Sequence, residues 1–234
     1  MLAFLFTGLY KLMNTLSELK TGKLAGAKHL QLVEQLSEFP TDIFKLADTL
    51  EVLDLSNNNL SDLPDEFSCL HRLKRVFLSF NQFKHIPTVL VKCPALIMVA
   101  FKGNKISEFA PNSLPKNIEW LILTDNNLHE LPDDFGNYTQ LKKLALAGNN
   151  LKNLPASMAN CTNLELVRLS ANNLIKLDDW LLELPKLAWL AFAGNNFNKA
   201  QCLTKSTLKN TPLENFQLKK VIGQGASGVI HLAK

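Results

Sequence analysis

Little in this 234-residue sequence speaks for a metal centre, a disulfide framework or a membrane span. Cysteine is scarce: Cys69, Cys93, Cys161 and Cys202 form no CxxC pair and have no histidine cluster beside them. That excludes the usual metal-ligand spacings, and the wide separation suits reduced, buried thiols better than disulfides. Cys69, Cys93 and Cys161 fall near one phase of the repeat described below, so burial is expected for all three, and the location implied is cytoplasmic. Long apolar runs are missing too. The N-terminal MLAFLFTGLYKL falls short of the roughly 20 residues that cross a bilayer, and the run from Ile86 to Phe101 is broken by Lys92 and Pro94. With neither a basic start nor a small-residue cleavage site, the N-terminus does not read as a secretion signal. Met13 is an alternative to Met1 as the start, because ordered-looking sequence begins there. Thr15 and Glu18 have capping-box spacing, Leu16 and Leu19 share a face, and Gly22 can end the turn.

Charge of one sign is also lacking. Lys and Arg number 25 against 21 Asp and Glu, scattered singly, with no stretch dense enough to follow a phosphate backbone. A nucleic-acid partner is therefore not expected. The apolar share, 47%, is that of a folded chain with a core.

What the sequence has in abundance is a period. Asparagines recur at Asn58, Asn81, Asn104, Asn126, Asn149, Asn172 and Asn195, at intervals of 23 residues and once 22. Each sits in the frame LxxLxLxxNxL, as in LEVLDLSNNNL from Leu50 and LKKLALAGNNL from Leu141. Several units continue into a Leu-Pro step at Leu63-Pro64, Leu131-Pro132 and Leu154-Pro155. A degraded eighth unit, HLQLVEQLSEFP, precedes them, with Gln35 in the Asn position. Pairs such as Leu53/Leu55, Val76/Leu78 and Leu121/Leu123 alternate with the period of a short strand. One such strand cannot bury its apolar face alone. Stacked units build a parallel sheet backed by a continuous leucine core. The Asn amide, with two donors and one carbonyl acceptor, can satisfy the backbone where the chain turns inward. After the Leu-Pro step the chain returns extended, and Phe67, Leu90, Phe135 and Met158 are expected to plug the far side.

These residues resemble the leucine-rich-repeat proteins from about His29 to Cys202. The resemblance implies an α/β class: a right-handed horseshoe solenoid with a concave parallel sheet. In that frame the third, fifth, seventh and eighth positions of each unit face outward from the concave sheet, Phe80 and Asp125 at eighth positions. An ordinary solvated face would carry polar residues there. Instead Phe77, Met98, Trp120, Ile122, Leu166 and Trp189 form an apolar stripe, with Ala145, Ala147, Ala191 and Ala193 leaving room between the tryptophans. The functional reading is a protein-docking groove with aromatic anchors and a charged rim; the plainer one is that the aromatics only pack on each other across strands.

After Cys202 a polar stretch, 203–212, reads as a linker, followed by LENFQLKKVIGQGASGVIHLAK. Strands are expected from Phe216 towards Val221 and from Val229 to Ala233, with Gly223, Gly225 and Gly228 between them. A bare GxGxxG is weak. A dinucleotide site needs a helix after the third glycine, and a P-loop needs Gly-Lys-Ser/Thr; here β-branched Val229 and Ile230 follow. Strand, glycine loop, strand is the protein-kinase order, GxGxxGxV, with Ile230 in the last position. With phrases such as FPTDIFKLADTLEVLDLS, WLILTDNNLHELP and LPKLAWLAFAGNNF, the chain resembles the N-terminal part of a bacterial leucine-rich-repeat protein kinase.

That resemblance implies glycines over the phosphates of ATP, Ile222 and Ile230 beside adenine, and ATP with Mg2+ as cofactors of a complete parent. Ser227 departs from the aromatic often found before the third glycine. The chain ends before a VAIK lysine, and no HRD or DFG occurs, so neither activity nor nucleotide binding is expected of 1–234 alone. The organisation expected is an N-terminal segment and cap (1–28), repeats (29–202), linker (203–212) and truncated start of a Ser/Thr kinase lobe (213–234). The repeats would hold a protein partner or the parent's own kinase domain. The alternative is a non-catalytic interaction adaptor.

Overall fold

The computed structural model describes residues 14–197 in full and the backbone of two strands, 218–225 and 228–233. Residues 1–13, the expected linker 203–212 and Cys202 lie outside the described residues. The chain divides into two compact units: Met13–Lys199 holds the repeats, and the two C-terminal strands belong to the other.

Eight three-residue strands follow one another in the first unit: β1 His29–Gln31, β2 Val52–Asp54, β3 Arg75–Phe77, β4 Met98–Ala100, β5 Trp120–Ile122, β6 Lys143–Ala145, β7 Leu166–Arg168 and β8 Trp189–Ala191. They form one parallel sheet in sequence order, each strand in register with the next. The central residue of each strand points into the core. Leu30, Leu53, Val76, Val99, Leu121, Leu144 and Val167 are all essentially fully buried, each contributing roughly 1.5–3 kcal/mol of apolar burial. A single three-residue strand buries too little to persist, so the sheet exists only as a stack.

The amides of the periodic asparagines tie the stack together. The Asn81 Nδ2 donates to the carbonyls of Leu55 and Leu78, and its Oδ1 accepts from the Leu60 amide. Asn104, Asn126, Asn149, Asn172 and Asn195 repeat this three-way pattern, each joining its own coil to the preceding one. Asn58 does the same towards the first coil, accepting from Glu34 and Leu36 and donating to Leu32 and Leu55. Gln35 does not join this ladder. It is exposed and takes the left-handed backbone (φ 55°) that Asn57 takes in the next coil. The first coil is one residue shorter between Leu32 and Leu36 than the second between Leu55 and Leu60, so no inward side chain is left at the turn.

The return side is 3-10 rather than α in most coils: η1 Thr41–Leu46, η2 Asp65–Cys69, η3 Thr88–Lys92, η4 Phe135–Asn137 and η5 Ala156–Asn160. Pro40, Pro64, Pro87 and Pro155 stand immediately before η1, η2, η3 and η5 with φ between −60° and −74°, the value the proline ring imposes. Each proline carbonyl, and that of Pro132 before η4, accepts from the amide of the residue that plugs the far side: Ile43, Phe67, Leu90, Met158 and Phe135. All five plugs are fully buried. Between β4 and β5 no such helix forms; this is the coil of 22 residues, where Pro111 and Pro115 shape the return.

α1 Leu16–Lys20 closes the N-terminal end. Thr15 and Glu18 form the capping box reciprocally, Leu19 is buried, and Gly22 follows with φ +77°. α2, Asp179–Leu182, replaces the 3-10 turn in the last return. Cys93 and Cys161 are buried, but Cys69 is exposed. The buried phase belongs to the residue after the 3-10 helix, occupied by Leu70, Cys93 and Cys161; Cys69 stands one place ahead of it.

In the other unit, β9 Leu218–Gly225 and β10 Gly228–Ala233 pair antiparallel. The strands run up to the glycines instead of stopping short of them: Gly225 pairs with Gly228, leaving a two-residue connection, the commonest hairpin length.

Candidate functional site

Because the middle residue of each strand faces the core, the first and third residues line the opposite, open face of the sheet. Phe77, Trp120, Ile122 and Leu166 are half-buried there, and Trp189 is 60% exposed. Met98 is buried, at 9%, beneath its neighbours, so it serves as floor and not as a projecting anchor. Ala145 is buried, Ala147 and Ala191 are partly exposed and Ala193 is exposed. Together they form a shallow stretch between the Trp120 and Trp189 strands.

Among the described residues no ring of Phe77, Trp120 or Trp189 packs on another aromatic; the aromatic pairs lie in the core and on the return side, as in the edge-to-face Phe83–Phe101 and Phe135–Tyr138. Trp120 has a different neighbour. The Lys143 ammonium sits 3.7 Å from its ring centroid, within the range of a cation–π contact.

A hollow of about 290 Å3 opens beside this pair, floored by Met98 and Trp120 with Ile97 and Arg75 on its walls. Its rim carries the residues that precede the strands. There Glu51 pairs with Lys74 at 2.8 Å and Lys28 at 3.7 Å, and Glu119 with Lys142 at 3.0 Å. The Lys74 hydrogen bond holds the Glu51 carboxyl below its ordinary range. These pairs are solvent-facing and worth little as stability; their effect is to neutralise the rim lysines. Arg75 and Arg168 are exposed on strand positions, and among the described residues neither has a carboxylate within ion-pair distance.

Phe80, at the eighth position of its unit, lies beyond the strand residues. It is 49% exposed and holds a left-handed backbone (φ 55°), an outlier for a bulky side chain. Its ring lies over Gly103, where an added Cβ would come within 2.6 Å of it, and the Lys102 ammonium is 5.6 Å from its centroid.

Gly223 and Gly225 lie on β9, and Gly228 opens β10. Ile222 is on β9, and Ile230 on β10 pairs with Gly223. Ala226 and Ser227 lie outside the described residues. Among the described residues no cluster of three or more His, Cys, Asp or Glu could hold a metal, and no helix is long and apolar enough to cross a membrane.

The family profile described as "Leucine rich repeat" matches residues 28–83, 116–174 and 139–197. Curated relatives include the human PH domain leucine-rich repeat-containing protein phosphatase 1, 32% identical over 123 residues, covering 50% of this chain and 7% of that protein. The probable serine/threonine-protein kinase pats1 of Dictyostelium discoideum is 34% identical over 102 residues, covering 41% of this chain and 3% of that one. Mouse Toll-like receptor 2 is 40% identical over 83 residues, 34% of this chain and 10% of the receptor. The matches thus span a tenth or less of each of these proteins. Among solved structures, a Leptospira interrogans LRR protein superposes with TM-score 0.59 at 20% identity over 80% of this chain and 59% of that one. A Listeria monocytogenes internalin gives 0.58 at 21% identity over 74% and 56%. At these identities the likeness is one of fold.

Proposed function

This chain belongs to the leucine-rich-repeat family, and from that premise we propose that the open face of its sheet docks a protein partner. Leucine-rich-repeat proteins generally mediate protein–protein interaction. The observation that carries the reading for this face is the apolar row from Phe77 through Trp120 and Ile122 to Leu166 and Trp189, which the core does not consume. Side chains of this kind, half-exposed and ringed by charge, are what interface centres are made of. Trp120→Ala and Trp189→Ala are expected to weaken binding of a co-purified partner at least tenfold while leaving the circular dichroism spectrum and melting temperature nearly unchanged. Retained affinity in both variants removes the reading.

The second part of the proposal concerns the C-terminal residues. Gly223-x-Gly225-x-x-Gly228 on an antiparallel hairpin matches the order that covers ATP phosphates in protein kinases, and in such a lobe Ile222 and Ile230 would be the residues beside the base. The chain is then the front of a cytoplasmic Ser/Thr kinase whose ATP and Mg2+ are held by a lobe completed beyond Lys234. The repeats in such a parent select a substrate or restrain the kinase domain itself. The Dictyostelium kinase among the relatives supports this weakly, since its match covers 3% of that protein. The competing reading, a non-catalytic adaptor, rests on the repeats alone. The reading frame after Lys234 separates the two: a VAIK-like lysine followed by HRD and DFG supports the kinase, and a stop codon supports the adaptor.

A further inference from the structure

Charge on the open face is unbalanced, and the imbalance says what kind of partner fits. On its first and third strand positions the sheet carries three cations, Arg75, Lys143 and Arg168, against one carboxylate, Asp54. That carboxylate is already occupied, accepting from the Gln31 side chain at 3.0 Å and the Ser56 amide at 2.9 Å. Of the other acids near the face, Asp125 pairs with Lys102, Glu51 with Lys74 and Glu119 with Lys142; Glu165, just before β7, is exposed and is the one rim acid beside these strands with no ion pair among the described residues. Arg75, Lys143 and Arg168 make no ion pair among the described residues, and the Lys143 ammonium rests on the Trp120 ring without a counter-charge.

We propose that the open face takes an extended acidic segment of a partner protein, running across the strands, with one carboxylate on Arg75, a second on Arg168 and an apolar side chain between them over Trp120 and Ile122. This rests on the docking reading above and adds the chemistry of the occupant. The spacing follows from the sheet. Arg75 is on β3 and Arg168 on β7, four strand intervals apart, or about 19 Å at roughly 4.8 Å per interval. An extended chain covers that in about six residues at roughly 3.3 Å each. The recognised pattern is therefore two Asp or Glu residues some five or six positions apart, with a Leu-, Ile- or Phe-like residue midway. Lys143, on β6, adds attraction along the path, and bidentate guanidinium–carboxylate pairing supplies orientation.

The test is selection of random displayed dodecapeptides against the whole chain, followed by affinity measurement of the enriched sequences on Arg75→Glu, Arg168→Glu and Trp120→Ala variants. The expected result is enrichment of the acid–apolar–acid pattern, at least tenfold weaker binding in each Arg→Glu variant, and affinity that falls with added salt. Enriched peptides that are basic or neutral, or that ignore both Arg→Glu changes yet lose binding in Trp120→Ala, overturn the acidic-partner inference and leave the docking reading standing. Peptides that bind all three variants as well as the parent chain, or no enrichment at all, overturn both.

Discussion

At the scale of single residues the ladder asparagines do the most. Each places two donors and an acceptor where strand and turn leave buried carbonyls and amides unpaired. Asn126→Ala strips partners from the Phe101 and Leu123 carbonyls and the Ile106 amide. The expected loss is on the order of 3 kcal/mol by urea unfolding. Asn59→Ala, an exposed side chain donating only to the Gln35 carbonyl at 3.3 Å, should cost less than about 0.5 kcal/mol. Burial pushes the Cys93 and Cys161 thiols up to about 11 and the Tyr138 phenol up to about 12. The folded state then keeps protons that the unfolded chain releases from about pH 9. Stability is full below pH 9 and falls as pH rises through 11, read as a falling melting temperature between pH 8 and 11; a flat profile contradicts this. In the native state a thiol reagent should modify Cys69 and spare Cys93 and Cys161, by peptide-resolved mass spectrometry. The seven asparagines were legible in the sequence because nothing else recurs so regularly. The fate of Gln35 and Cys69 was not, because a slip of one residue moves a side chain from core to solvent without disturbing the pattern around it.

At the scale of elements, the strands were legible from alternation and the 3-10 returns were not. Apolar spacing alone does not distinguish one turn of 3-10 from one of α; the available length does, because a 23-residue coil leaves few residues after the strand and the ladder turn. Neighbouring returns pack closely at Gly136 in η4, where an added Cβ would come within 2.1 Å of the Ser157 carbonyl oxygen in η5. Gly136→Ala therefore forces the two 3-10 helices apart, an overpacking cost of about 1–3 kcal/mol. Gly22→Ala meets no neighbour within 4 Å and is strained only by its φ of +77°, about 1 kcal/mol. Chemical denaturation of the two variants should reproduce that order.

At the scale of the repeat unit as a whole, the parallel sheet and its continuous core followed from the period, whereas the character of the open face needed coordinates. Sequence position put Met98 and Trp120 in one column; the structure makes one a floor and gives the other a cation. Of the kinase-like residues, the sequence order glycine–x–glycine was visible and the pairing of Gly225 with Gly228 was not, because cross-strand partners are set by where the turn falls. The amide ladder has one more consequence, and it concerns heredity. Two coils depart from the common spacing, and they do so in different places. The unit between Asn104 and Asn126 is one residue short on the return, between Ile106 and Ile118, and keeps its ladder amide; the first coil is one residue short in the turn and one long on the return, so its strand stays in register with β2 while the turn has no ladder amide. A change of length on the return is thus absorbed locally, while one in the turn costs that coil its own amide and leaves it held by its neighbour's, as Asn58 holds the first coil. A chain built this way should inherit changes of length more readily on the return side than in the turn, where the asparagines keep the columns of the open face in step.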